Sequence, residues 1–207
     1  MGKPLKVAKN KKMVAIVKYN AGNIFSVYCA LKRLGYEAVL TDDPETLRSA
    51  DKVIFPGVGE ARAAMEHLNA TGLSDVIKSL TQPVLGICIG MQLLCKHSEE
   101  SDVDCLGIFD TNIVRFNPSD KELKVPQMGW NQIKSLKTDL FKDIAEGSYV
   151  YYVHSYHAPL CEFTIAQTDY DGLYSAALHK DNFYATQFHP EKSGSIGEQL
   201  LKNFLEL

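Results

Sequence analysis

Val84-Leu-Gly-Ile-Cys-Ile-Gly-Met-Gln-Leu-Leu94 reads as a short buried strand, a Gly-x-Cys-x-Gly turn and the start of an amphipathic helix. A strand that feeds directly into a helix is the repeating unit of a parallel sheet, because parallel neighbours need a crossover between them. The same stretch isolates a candidate nucleophile. Cys88 falls at the sharp strand-to-helix turn. Small neighbours, Gly86 and Gly90, let adjacent backbone pass close to such a turn. The helix N-terminus favours an anionic sulfur, and the N–H of Ile89 can point at a developing oxyanion. A cysteine elsewhere is more simply a small buried hydrophobe, which is how Cys29, Cys95, Cys105 and Cys161 read.

Upstream, Met13–Val17 is a first apolar strand. Ile24, Val27, Tyr28, Leu31 and Leu34 recur at helical spacing up to a stop at Gly35. Ala38–Thr41 and Lys52–Phe55 read as strands two and three, the latter stopped by Pro56-Gly-Val-Gly59. A helix is expected from about Glu60, another between Asn69 and Gln82, and a third over Ile89–Lys96. This alternation predicts an α/β fold: a doubly wound, mostly parallel sheet with helices on both faces. Downstream the pattern turns to strands, at Thr111–Phe116, Tyr149–Val153, Phe163–Thr168, Tyr174–Leu178 and Tyr184–Phe188, with a hairpin turn at Lys180-Asp-Asn182. Such late antiparallel strands extend an edge of the parallel sheet or form a small second sheet. A helix over Ile196–Leu205 closes the pattern, and the charged loops Ser98–Asp104 and Asn117–Lys124 belong at the surface.

The 207 residues, 45% hydrophobic, suit one domain with a sizeable core. Residues 1–12 carry five lysines and no acid and read as a flexible leader or appended remnant, leaving 13–207 as a single domain. Without that segment the formal charge falls from −3 to −8, which suits no nucleic-acid partner. No apolar run is long enough to span a bilayer, and the N-terminus lacks the apolar core of a signal peptide. Five cysteines without a CxxC or zinc spacing suit reduced thiols in the cytoplasm and no metal site.

A cysteine nucleophile needs a base and a group to orient it. Thr186-Gln-Phe-His-Pro-Glu-Lys-Ser193 supplies both in His189 and Glu191, which share a face if the segment is extended. The acid follows the histidine, which argues against an α/β-hydrolase order. The Gly57-Val58-Gly59 loop after strand three should lie beside Cys88 at the carboxyl ends of the strands, where ligands bind.

The combination of PGVG (56–59), GICIGMQLL (86–94) and QFHPEKS (187–193) resembles class-I, triad-type glutamine amidotransferases. Lys124-Val-Pro-Gln-Met-Gly-Trp-Asn131 and Tyr151-Tyr-Val-His-Ser-Tyr156, with Gly22-Asn23 opening the first helix, are similar to the glutaminase subunits of imidazole glycerol phosphate synthase. Gln127 stands where that group has His, Ala185 where Gly is usual, Ile89 replaces Leu, and Glu60-Ala61 follows PGVG in place of a smaller pair. The resemblance implies a Cys88–His189–Glu191 triad that hydrolyses glutamine without a cofactor. Gly57, Val58, Gly59 and Ile89 would supply backbone oxyanion donors, and Gln92, Ser155 and Tyr156 would hold the substrate. It further implies a heterodimer with a (β/α)8-barrel cyclase that receives the ammonia, with Asn23, Tyr151 and Lys192 at the junction. A glutaminase serving sugar amidation and a non-catalytic amidotransferase-like module are the alternatives.

Overall fold

The computed structural model describes residues 13–19, 24–57, 59–119 and 122–207. Its first half alternates as expected: β1 (Val14–Val17), α1 (Ile24–Arg33), β2 (Ala38–Thr41), α2 (Pro44–Ser49), β3 (Lys52–Gly57), α3 (Ala61–Ala70), α4 (Leu73–Ser79), β4 (Val84–Cys88) and α5 (Ile89–Leu94). Shorter strands follow: β5 (Cys95–Ser98), β6 (Val103–Asp104), β7 (Phe109–Arg115), β8 (Gln127–Gln132), β9 (Tyr149–His154) and β10 (Tyr156–His157). The chain closes with β11 (Thr164–Asp169), β12 (Leu173–Lys180), β13 (Phe183–Thr186) and α6 (Gly194–Glu206).

The main sheet has seven strands in the order β11-β12-β13-β4-β3-β1-β2. From β2 to β13 all neighbours are parallel, and only β12 runs against them. The chain steps outward from β1 to β2 and then returns past β1 to β3 and β4. Right-handed crossovers therefore put α1 on one face and the helices between β2 and β4 on the other. The late strands do both things expected of them. β11–β13 widen the main sheet, while β10-β7-β5-β6 and the β8-β9 ribbon form smaller sheets.

Four local features depart from the pattern read in sequence. The helix after Cys88 stops at Leu94, because Cys95 starts a strand parallel to β7. β3 runs on through Pro56 to Gly57. Its pairing with β1 ends at Ile54, so the missing proline N–H costs no ladder bond on that side. α2 was signalled by Asp43-Pro-Glu-Thr46: Asp43 Oδ2 accepts from the Thr46 N–H at 2.7 Å, and Pro44 opens the helix. β8 carries the Met-Gly-Trp-Asn segment and pairs along its length with β9.

Backbone contact at Gly90 sets the elbow. A Cβ there would overlap the Phe55 carbonyl oxygen, so only glycine lets α5 lie this close to β3. The Ala side chain favours a helix by about 1 kcal/mol over Gly, but steric overlap with backbone outweighs that. Gly90→Ala is expected to lower stability by about 3 kcal/mol in chemical denaturation, or to push the elbow off β3.

Candidate active site

The parallel pairing of β13 with β4 sets Thr186 beside Ile87, so the residues just past each strand end meet. On the other side Gly57 pairs with Cys88. Cys88 is buried at this junction with φ 55° and ψ −110°, a conformation that L-residues avoid and that costs on the order of 1–3 kcal/mol. Gly90 against Phe55 holds the turn in that shape.

His189 Nδ1 lies 2.8 Å from Glu191 Oε1, and both side chains are almost wholly buried. They converge through a 3-10 turn at Pro190–Lys192, which replaces the extended segment anticipated from sequence. That turn is clamped on three sides. The His189 N–H donates to the Tyr151 carbonyl at 2.9 Å, and Ser193 Oγ donates to the His189 carbonyl at 2.7 Å. Gly197 of α6 packs so tightly on the Pro190 carbonyl that no Cβ fits between them.

Burial alone would depress the His189 imidazole. The negative Cys88 sulfur, acting as a charge and as a hydrogen-bonding group, outweighs it together with Glu191, and the imidazole rises from 6.5 to about 10. Nε2 is sealed from solvent and makes no hydrogen bond of standard geometry among the described residues, so Cys88 acts on the ring mainly through its charge. The arrangement is a buried imidazole backed by a carboxylate and facing the Cys88 sulfur, which also lies 3.9 Å from the Val153 carbonyl. Because the folded pKa is raised, protonation of His189 favours the folded state fully below about pH 6.5, and the contribution is lost as pH climbs through about 10.

Beside the pair lies a cavity of about 340 Å³. Gly59, Cys88, Ile89, Gln92, Ser155, Tyr156 and His189, all expected at the site, line it. Gly57 reaches the site only through its pairing with Cys88, and Val58 and Asn23 lie outside the described residues. Gln92 Nε2 donates to the Tyr156 carbonyl at 3.0 Å, while its buried Oε1 has no partner among the described residues.

Three residues at the site were assigned no role from the sequence. Glu100 lines the cavity, its carboxyl raised by burial and by Glu60 against an opposing bond from the Ala61 N–H. His154 also lines it. Burial pushes its imidazole down to about 3, leaving it neutral, with Nδ1–H donating to the Tyr156 carbonyl at 2.8 Å. Tyr19 is buried against Gly57, its hydroxyl raised by burial and by the Cys88 charge. Among the departures, Glu60 caps α3, Gln127 Oε1 accepts from the Tyr174 hydroxyl at 2.9 Å, and Ala185 is buried beside Gly86.

Residues 15–207 match the family described as glutamine amidotransferase class-I. This chain belongs to the class-I glutamine amidotransferases. Curated relatives carry the name imidazole glycerol phosphate synthase subunit HisH. The one from Bacteroides fragilis is 66% identical over 194 residues, covering 94% of this chain and 99% of that protein. The one from Escherichia coli K12 is 48% identical over 196 residues with the same coverage. Among solved structures, a glutamine amidotransferase aligns with TM-score 0.71 at 20% identity, over 93% of this chain and 97% of that one. PurLQS from Thermotoga maritima aligns with TM-score 0.70 at 18% identity, over 95% and 98%. These structures agree with the α/β amidotransferase fold.

In this amidotransferase Glu191 helps keep the His189 imidazole protonated into the alkaline range. Glu191→Gln removes a charge that raises His189. The His189 imidazole titration, followed by NMR of the ring from pH 5 to 11, is therefore expected to fall from near 10 by about one pH unit.

Proposed function

We propose that this chain is the glutaminase subunit of an imidazole glycerol phosphate synthase. It would release ammonia from glutamine and deliver it to a (β/α)8-barrel cyclase for histidine biosynthesis. The observation that carries the reading is the buried Cys88–His189–Glu191 array opening on a cavity, in a chain so similar to HisH subunits along nearly its full length.

The chemistry follows from the residues. The Cys88 thiolate attacks the side-chain carbonyl carbon of glutamine. Negative charge develops on the oxygen, and the amide N–H groups of Ile89 and Gly59, both on the cavity wall, are the donors for it. Imidazolium of His189 protonates the departing nitrogen, releasing ammonia and leaving a thioester. The now neutral imidazole takes a proton from water, which attacks the thioester and frees glutamate. Glu191 keeps Nδ1 protonated throughout, so Nε2 always serves the reacting side. On the substrate's other end, the Glu100 carboxylate suits the α-ammonium group, and Gln92 with the Ser155–Tyr156 backbone suits the remaining polar atoms.

Ammonia released into water is protonated and no longer nucleophilic, so a direct exit into a partner is needed. Val153 lines the cavity and pairs with Met128 on the β8–β9 ribbon. Along the ribbon Trp130 pairs with Tyr151, and Gln132 with Tyr149. Met128, Trp130 and Tyr149 are 66%, 55% and 55% exposed. The Lys192 ammonium lies 5.9 Å from the Tyr151 ring centre. This apolar, aromatic face next to the cavity has the composition of a protein interface and is the docking face for the cyclase. Among the described residues no helix is long and apolar enough to cross a membrane, and no metal-ligating cluster occurs.

A diazoketone analogue of glutamine is expected to add one equivalent of mass to Cys88. Cys88→Ala should abolish glutamine-dependent product formation while sparing ammonia-dependent synthesis by the cyclase. Labelling of a different residue would overturn the reading. Trp130→Ala should weaken binding to the cyclase about thirtyfold or more by calorimetry, with the isolated subunit still folded.

A further inference from the structure

We infer that Gln187 is the hydrogen-bond donor that holds the Cys88 sulfur as an anion, and that it ties the sulfur to the substrate-facing Gln92. This deepens the glutaminase reading and rests on it.

Gln187 is fully buried on the segment between β13 and His189. Its backbone N–H is spent on the Ala176 carbonyl at 2.8 Å, which fixes the residue beside the elbow. Its side-chain Nε2 stands 3.8 Å from Cys88 Sγ, within range of an N–H donor to sulfur. Its Oε1 accepts from Gln92 Nε2 at 3.0 Å. Gln92 Nε2 has a second acceptor in the Tyr156 carbonyl at 3.0 Å, so both of its hydrogens are committed. Those two acceptors fix which way the Gln92 amide faces. Its N–H in turn obliges Gln187 to present oxygen to Gln92 and NH2 to the sulfur. A carboxamide held in this sense stabilises a thiolate more than a thiol, because bonds to an ionised acceptor are roughly twice as strong as neutral ones.

The chain has one open end. Gln92 Oε1 is buried at the cavity without a partner among the described residues. A substrate N–H that engages it would polarise the Gln92 amide, strengthen its donation to Gln187 and so strengthen the Gln187 bond to sulfur. Occupancy of the substrate site would thus be felt at the nucleophile through two side chains.

Other ionisable groups face this sulfur. His189 follows β13 with Glu191 behind it, Tyr19 follows β1, and Glu100 and His154 stand on the cavity wall. The test must therefore change Gln187 and leave these in place. Gln187→Met keeps volume and removes the donor. Gln187→Glu keeps shape and places a carboxyl against the sulfur. In the full-length subunit bound to its cyclase, iodoacetamide kinetics across pH give the acid limb of Cys88 alkylation. The limb is expected to move up by about one pH unit in Gln187→Met and further in Gln187→Glu. Gln92→Met should also raise the limb in the wild-type background but not in the Gln187→Met background.

An acid limb unmoved in both Gln187 variants would overturn the inference. So would equal effects of Gln92→Met in the two backgrounds, which would break the link between the two amides. A residue that merely fills space would change stability and leave the limb in place. Should Gln187→Met fail to fold, judged by its circular dichroism and by loss of binding to the cyclase, Gln187→Glu alone decides through its upward shift. Failure here is separable from failure of the glutaminase reading: the former leaves Cys88 as the residue trapped by the diazoketone, the latter does not.

Discussion

The register of β13 on β4 is the constraint on which the rest depends. The two strands come from regions about a hundred residues apart, yet their pairing sets Thr186 beside Ile87. Asn182 fixes that register from below. Its side-chain amide donates to the carbonyls of Leu80 and Gln82, each at 2.9 Å, and its own carbonyl accepts from the Val84 N–H. A slip of one residue would turn alternate side chains to the opposite face of the sheet. Gln187 would then leave Cys88, and His189 would follow it away from the cavity.

Around that register the protein solves an electrostatic problem. A sulfur anion and an imidazolium taken out of water each carry a desolvation cost of several kcal/mol. Glu191 and the Gln187 amide compensate by direct bonds, and the clamps from Tyr151, Ser193 and Gly197 keep the groups from drifting to less costly positions. The strained backbone at Cys88 belongs to the same solution, since a relaxed turn would point the sulfur elsewhere.

Much of this was legible in the chain. Periodicity located the parallel strands, because strands buried on both faces are short, continuous apolar runs, as at Val14–Val17 and Val84–Cys88. The candidate nucleophile, base and acid, Cys88, His189 and Glu191, stood out because each sits in a short motif with its own local geometry. The cap at Asp43-Pro44 marks α2, a helix too short to show apolar periodicity. β5 was absorbed into a helix because Cys95 continues an apolar run, and only its partner β7 decides otherwise. Glu100 and Tyr19 were not given a role, and His154 was legible only as part of the Tyr151–Tyr156 segment, without a role of its own. Each reaches the cavity or elbow through a loop or an edge strand, and nothing in its neighbours marks its role.

The ordering of the catalytic parts along the chain carries a consequence for biosynthesis. Translation delivers the sulfur at position 88 well before the imidazole at 189, and the helix that wedges against Pro190 later still. A nascent polypeptide halted anywhere in between holds the sulfur without the His189 imidazole and without the turn that carries Glu191. Unfinished protein on the ribosome therefore cannot squander the cell's nitrogen donor.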